Sequence, residues 1–178
     1  MSRKFHSGRG FGRFLLVLLL LVFSIWQNSV NAPHILASGV YFVIPLVTAV
    51  AMFEGSSFAL LYGLAAGLLW DSVSLLRDGT YTFWLALWGA GIALLVRYFF
   101  RRTYLSCLVF CLTGGLLHGI LLLLSGKYRG GEALRFSLLS LFPGVLAIAP
   151  LSVAFYLLVR ELDKKASPLR ESGEGRLL

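Results

Sequence analysis

Charge is scarce in this chain, and acid is scarcer than base. Of its 178 residues 13% are charged, with 8 Asp and Glu against 16 Lys and Arg. Soluble domains carry about a quarter charged residues, so this composition excludes an ordinary soluble surface. There are two cysteines, Cys107 and Cys111, both inside one apolar run, which excludes a disulfide scaffold. No Gly-x-Ser-x-Gly, His-Glu-x-x-His or phosphate-loop pattern occurs, and the acids are too dispersed for a catalytic carboxylate pair. The apolar runs also lack the several charges that a proton relay or ion path places in a membrane. Neither catalysis nor a cofactor is expected.

What is abundant is hydrophobic sequence. Apolar residues make up 58% of the chain, and the mean hydropathy is +0.82. They fall in runs of about twenty, the length that crosses ~30 Å of hydrocarbon. The net charge of +8 gathers at the two ends and in one loop, a pattern of membrane topology rather than nucleic-acid binding. The expected fold is all-α, a polytopic membrane bundle of about six transmembrane helices.

Arg3, Lys4, Arg9 and Arg13 precede a first apolar run from Phe14 to Trp26, extended by Gln27. This start imitates a secretory signal with a Val30-x-Ala32 ending, but Pro33 argues against cleavage, and the run is read as a retained helix. A second span runs from Ile35 to Phe53, with a kink expected at Pro45. Glu54-Gly55 leaves room only for a tight turn. Further spans follow at Ser56 to Val73, Tyr81 to Phe100 and Tyr104 to Leu124. The last apolar stretch, Phe136 to Val159, is interrupted by Pro143-Gly144 and Pro150, as one broken helix or as two elements.

This reading divides the chain into a basic cytoplasmic segment (1–13), a six-helix transmembrane domain (14–160) and a cytoplasmic disordered tail (161–178). Both ends then share one side. Twelve Lys and Arg fall on that side, in the N-terminal segment, the Arg97–Arg102 loop and the tail. Four, Arg77, Lys127, Arg129 and Arg135, fall on the other. That asymmetry follows the positive-inside rule, and five spans would break it.

The candidate site is a stripe. Ala59, Gly63, Gly67 and Asp71 follow one another by four, so they share one face of a helix. Small residues there let another helix approach closely, and the acid at the end is aimed at protein rather than lipid. Asp71 either lies near the outer membrane interface and merely ends its helix or pairs with Arg77, or serves as a buried packing or partner-facing acid. Glu54 reads as a solvated turn residue. Gly115 and Gly119 make a second small face, beside Cys107, Cys111 and His118. Those last three share a face, a spacing that suits metal ligands, but zinc takes about four ligands and no other Cys exists, so no metal is expected.

The order Glu54-Gly55, Gly63, Gly67-Leu68, Asp71, Gly79 resembles the central signature of MreD, the small rod shape-determining membrane protein of bacteria. Trp26-Gln27-Asn28-Ser29 is similar to the end of that family's first helix. Pro33-His34-Ile35-Leu36 is similar to its Pro-Asp-Leu entry to the second, with His34 in place of the acid. The resemblance implies a non-enzymatic scaffold of the cell-elongation machinery in the plasma (inner) membrane, multi-pass with both termini cytoplasmic. Its implied partners are an MreC-like protein, an MreB-like filament, and a RodA-type glycosyltransferase with its transpeptidase, besides membrane lipids. The implied fold is similar to the substrate-binding subunits of energy-coupling-factor transporters. That likeness supplies an alternative, a vitamin-binding transporter subunit, which needs a polar pocket among the outer loops.

Overall fold

A computed structural model describes residues 7–27, 42–72, 79–124 and 148–164. All the regular structure among the described residues is helical. The helices are α1 (Ser7–Gln27), α2 (Val43–Phe53), α3 (Ser56–Asp71), α4 (Thr80–Tyr98), α5 (Tyr104–Leu124) and α6 (148–164).

Two stretches, Thr80–Tyr98 and Tyr104–Leu121, are long and apolar enough to cross a membrane. The other described helices are shorter in their apolar part: Gly10–Trp26 in α1, and the 11 residues of α2. The 16 residues of α3 rise about 24 Å, less than the ~30 Å hydrocarbon layer. Two spans therefore meet the criterion where six were expected. The start of the expected second span and the Pro143-Gly144 break lie outside the described residues.

Helix α2 is the centre. Every residue from Val43 to Met52 is buried, as suits a segment that is apolar all round. Pro45 falls in the first turn of α2, where a missing N–H removes no intrahelical bond, and the residues before 42, on which the expected kink depends, lie outside the described residues. Glu54 and Gly55 are both extended and turn the chain straight into α3.

Around α2 the other helices pack through specific contacts. Gly114 brings α5 against Ile44 of α2 and Trp88 of α4. The Trp88 indole N–H donates to the Thr48 hydroxyl at 3.1 Å, satisfying a polar group at the buried centre. The Tyr62 hydroxyl donates to the Leu16 carbonyl at 2.8 Å, tying α3 to α1. On α6, Phe155 stands edge-on to Phe23, with ring centres 5.0 Å apart.

Helix ends follow local chemistry. Gly79 has φ +69°, a left-handed turn that glycine adopts freely, and it opens α4. The Thr103 hydroxyl accepts the Ser106 N–H at 3.3 Å and caps α5. Helix α6 continues to 164, past the boundary expected at 160, with Glu161 and Lys164 paired one turn apart at 2.6 Å. Four residues assigned to the disordered tail are thus helical. At the other end of the chain, α1 starts at Ser7, inside the basic segment.

Every helix except α2 also presents large apolar side chains outward. Phe14, Leu61, Phe83, Leu116 and Leu157 are examples on five different helices.

Candidate functional site

The stripe on α3 is a contact surface for α4. A methyl group added at Gly63 would overlap the Leu85 carbonyl oxygen, and one added at Gly67 would overlap the Thr82 backbone. Backbone lies against backbone, so no side-chain adjustment makes room. From the opposite side, Gly89 lies against Ala59, where an added Cβ would stand 2.6 Å from the Ala59 carbonyl oxygen. Small residues on both helices make the approach possible. Leu68, on another face of α3, points outward.

Asp71 completes this seam. It is the last residue of α3, yet its carboxylate binds the first turn of α4. Oδ1 accepts the Tyr81 N–H at 3.2 Å, and Oδ2 accepts the Thr82 N–H at 2.9 Å and the Thr82 hydroxyl at 2.5 Å. The first amides of a helix have no partner within it, and that end carries partial positive charge. Gly79, at the capping position, has no side chain to bind them. Asp71 supplies the cap from the neighbouring helix. Asp71 thus ends its own helix, as one reading has it, and directs its bonds to protein, as the other does. Arg77, its alternative partner, lies outside the described residues.

Beside the cap, aromatic rings gather round His118 of α5. Trp70 and Tyr81 stack 4.8 Å apart and nearly parallel, with the imidazole 5.1 Å and 5.5 Å from their centres and 5.7 Å from Trp84. His118 is buried among these rings. Gly115 and Gly119 are buried on the same helix. Cys107 and Cys111 are free buried thiols, and the Cys107 sulfur lies 3.9 Å from the Ser152 carbonyl oxygen of α6. Among the described residues no three His, Cys, Asp or Glu side chains come together as metal ligands.

The opposite end of the bundle carries an ion pair. The Arg13 guanidinium donates to Glu54 Oε2 at 2.8 Å and 3.2 Å and lies over the Phe58 ring, 4.6 Å from its centre. Glu54 is 13% exposed, so it is a largely buried partner of α1 and not the solvated turn residue expected. At this end Phe53 also packs on Tyr156, whose hydroxyl donates to the Arg102 carbonyl at 2.8 Å. The start of α1, the α2–α3 turn, the α4–α5 loop and the last turns of α6 are joined there.

Three of these features escaped the sequence reading: the Arg13–Glu54 pair, Gly89 and the His118 cluster. For Gly89 a signal existed, because Thr82, Ala86, Gly89 and Ala93 repeat small residues along one face of α4. Compared with family models, with curated proteins and with solved structures, the chain finds no match in any of the three.

Proposed function

We propose that this chain is a non-enzymatic membrane scaffold of the bacterial cell-elongation machinery, similar to MreD. In this reading it sits in the plasma membrane with both ends cytoplasmic. It holds an MreC-like protein beside an MreB-like filament and a RodA-type glycosyltransferase with its transpeptidase.

The observation that carries the proposal is the α3–α4 seam. Of the residues on which the resemblance rests, Glu54, Gly63, Gly67 and Asp71 fix helices to one another, and Gly79 opens α4, while Leu68 faces outward and nothing stands within 4 Å of a Cβ added at Gly55. Such residues build a rigid shape rather than a reaction centre. The outward-facing Leu and Phe side chains on five helices suit a lipid surround, since soluble monomers rarely expose this much large apolar surface. The contacts that gather Arg13, Glu54, Arg102 and Tyr156 at one end agree with a topology in which those segments share a side.

One consequence follows for partner binding. Because α4 already occupies the Gly63 and Gly67 face, a partner helix has no access to it. The partner surface lies elsewhere on the bundle. Depletion in the source bacterium tests the proposal: rod-shaped cells should round up without acquiring a vitamin requirement. Cells that keep their shape but need a vitamin would favour the transporter subunit instead.

A further inference from the structure

The two membrane-length helices meet at one short loop. Helix α4 has 19 residues and rises about 28 Å, close to the thickness of the hydrocarbon layer. The loop that follows it therefore falls at a membrane face, provided that the membrane reading above holds.

The chemistry of this loop is concentrated. Between residues 97 and 104 there are three arginines, four aromatic residues and one threonine, with no acid. Arg97, Arg101 and Arg102 are all exposed, and among the described residues none of them is paired with a carboxylate. Phe99 is 81% exposed, and Tyr98 and Tyr104 are each more than half exposed. Aromatic residues with an apolar body and a polar edge settle at the headgroup level, and guanidinium groups bind phosphate through paired N–H donors.

The loop is also held in shape. The Phe99 and Phe100 amides both donate to the Leu95 carbonyl, at 2.8 Å and 3.0 Å. Phe100 packs edge-on against Phe110 of α5, with ring centres 5.2 Å apart. Tyr156 of α6 holds the Arg102 carbonyl, and Arg97 lies over the Tyr98 ring. Two cations on a fixed turn and a third, Arg97, in the last turn of α4 are thus presented together rather than on a loose tether, with exposed aromatic rings between them.

We propose that the α4–α5 loop is a binding site for anionic phospholipid headgroups, with Arg97, Arg101 and Arg102 contacting the phosphate and Phe99 inserted beside the acyl chains. The occupant is lipid rather than an acidic protein because the cations flank a run of exposed aromatic rings, Tyr98 to Phe100. A hydrated acidic surface would leave Phe99 in water, whereas a headgroup layer satisfies both.

The full-length protein, reconstituted in phosphatidylcholine vesicles, can be titrated with spin-labelled phosphatidylglycerol and spin-labelled phosphatidylcholine. Resistance to carbonate extraction comes first, because a protein that carbonate removes overturns the membrane reading and this site with it. For the integral protein, each guanidinium near an anionic surface is worth about a fivefold change in affinity. A preference for phosphatidylglycerol of about fivefold or more is expected, weakening with added salt. In R97Q/R101Q/R102Q it should fall towards one, while R101Q/R102Q, altered only in the exposed turn, should lose an intermediate share. An unchanged preference in both variants would overturn the site. So would a wild-type protein with no preference whose variants instead release a co-purifying acidic protein.

Discussion

The Asp71 carboxylate and the Thr82 amide, 2.9 Å apart, join the end of one helix to the beginning of the next. One side chain closes α3 and caps α4, directly beside the place where Gly67 brings the two backbones together. A bond from a charged group to a helix amide is worth more than a neutral one, and a capping side chain typically contributes ~1 kcal/mol.

Replacing Asp71 should therefore loosen this seam. Asp71→Ala is expected to cost about 1–3 kcal/mol, because three donors lose their acceptor. Asp71→Asn keeps one acceptor oxygen and should fall between that variant and wild type. Thermal unfolding of the detergent-solubilised protein, followed by circular dichroism, gives the order. An alanine variant as stable as wild type would contradict the cap.

Bulk on the glycine face should be worse tolerated than bulk elsewhere. Gly63→Leu and Gly67→Leu would each drive a side chain into the backbone of α4. Overpacking of this kind typically costs ~1–3 kcal/mol, and rigid backbone places it at the upper end. Gly91→Ala, where nothing stands within 4 Å, and Leu68→Ile on the outward face serve as controls. The yield of folded monomer should drop for the first two and hold for the controls.

The Arg13–Glu54 pair should contribute modestly. Arg13 is 41% exposed, so solvent screening keeps its coupling to Glu54 at about 0.5–1 kcal/mol. A double-mutant cycle with Arg13→Gln and Glu54→Gln measures that coupling directly. A value of zero would mean that the Tyr62–Leu16 bond and apolar packing alone hold α1 in place.

Trp88 and Thr48 give a test of the buried centre. Thr48→Val keeps the shape but strands the indole N–H, which should cost ~1–3 kcal/mol. Trp88→Phe combined with Thr48→Val removes both polar groups, so the double variant should cost less than the sum of the singles. Additive losses would show that the hydrogen bond contributes nothing.

Helix positions were legible because apolar runs and their punctuation are local. Arg101, Arg102 and Thr103 separate α4 from α5 within two residues of the expected boundaries, and Glu54-Gly55 does the same for α2 and α3. The stripe was legible as a face, since four-residue spacing needs only helical geometry. What it faces was not. The partners of Asp71 lie ten and eleven residues on, in the first turn of the next helix, a pairing that four-residue spacing does not encode. Glu54 lies 41 residues from Arg13, a pairing that no local pattern encodes.

Capture of the tagged full-length protein from solubilised membranes, with its bound proteins identified and its stability screened against vitamins, tests the scaffold reading most directly. An MreC-like protein is expected to co-purify, in smaller amount when Asp71→Ala loosens the bundle, and no vitamin is expected to raise the unfolding temperature. A bound ligand would stabilise the protein by ~2.7 kcal/mol at a hundredfold excess over Kd. A saturable shift of that size with one vitamin, together with co-purification of an ATPase module, would contradict the scaffold and establish a transporter subunit.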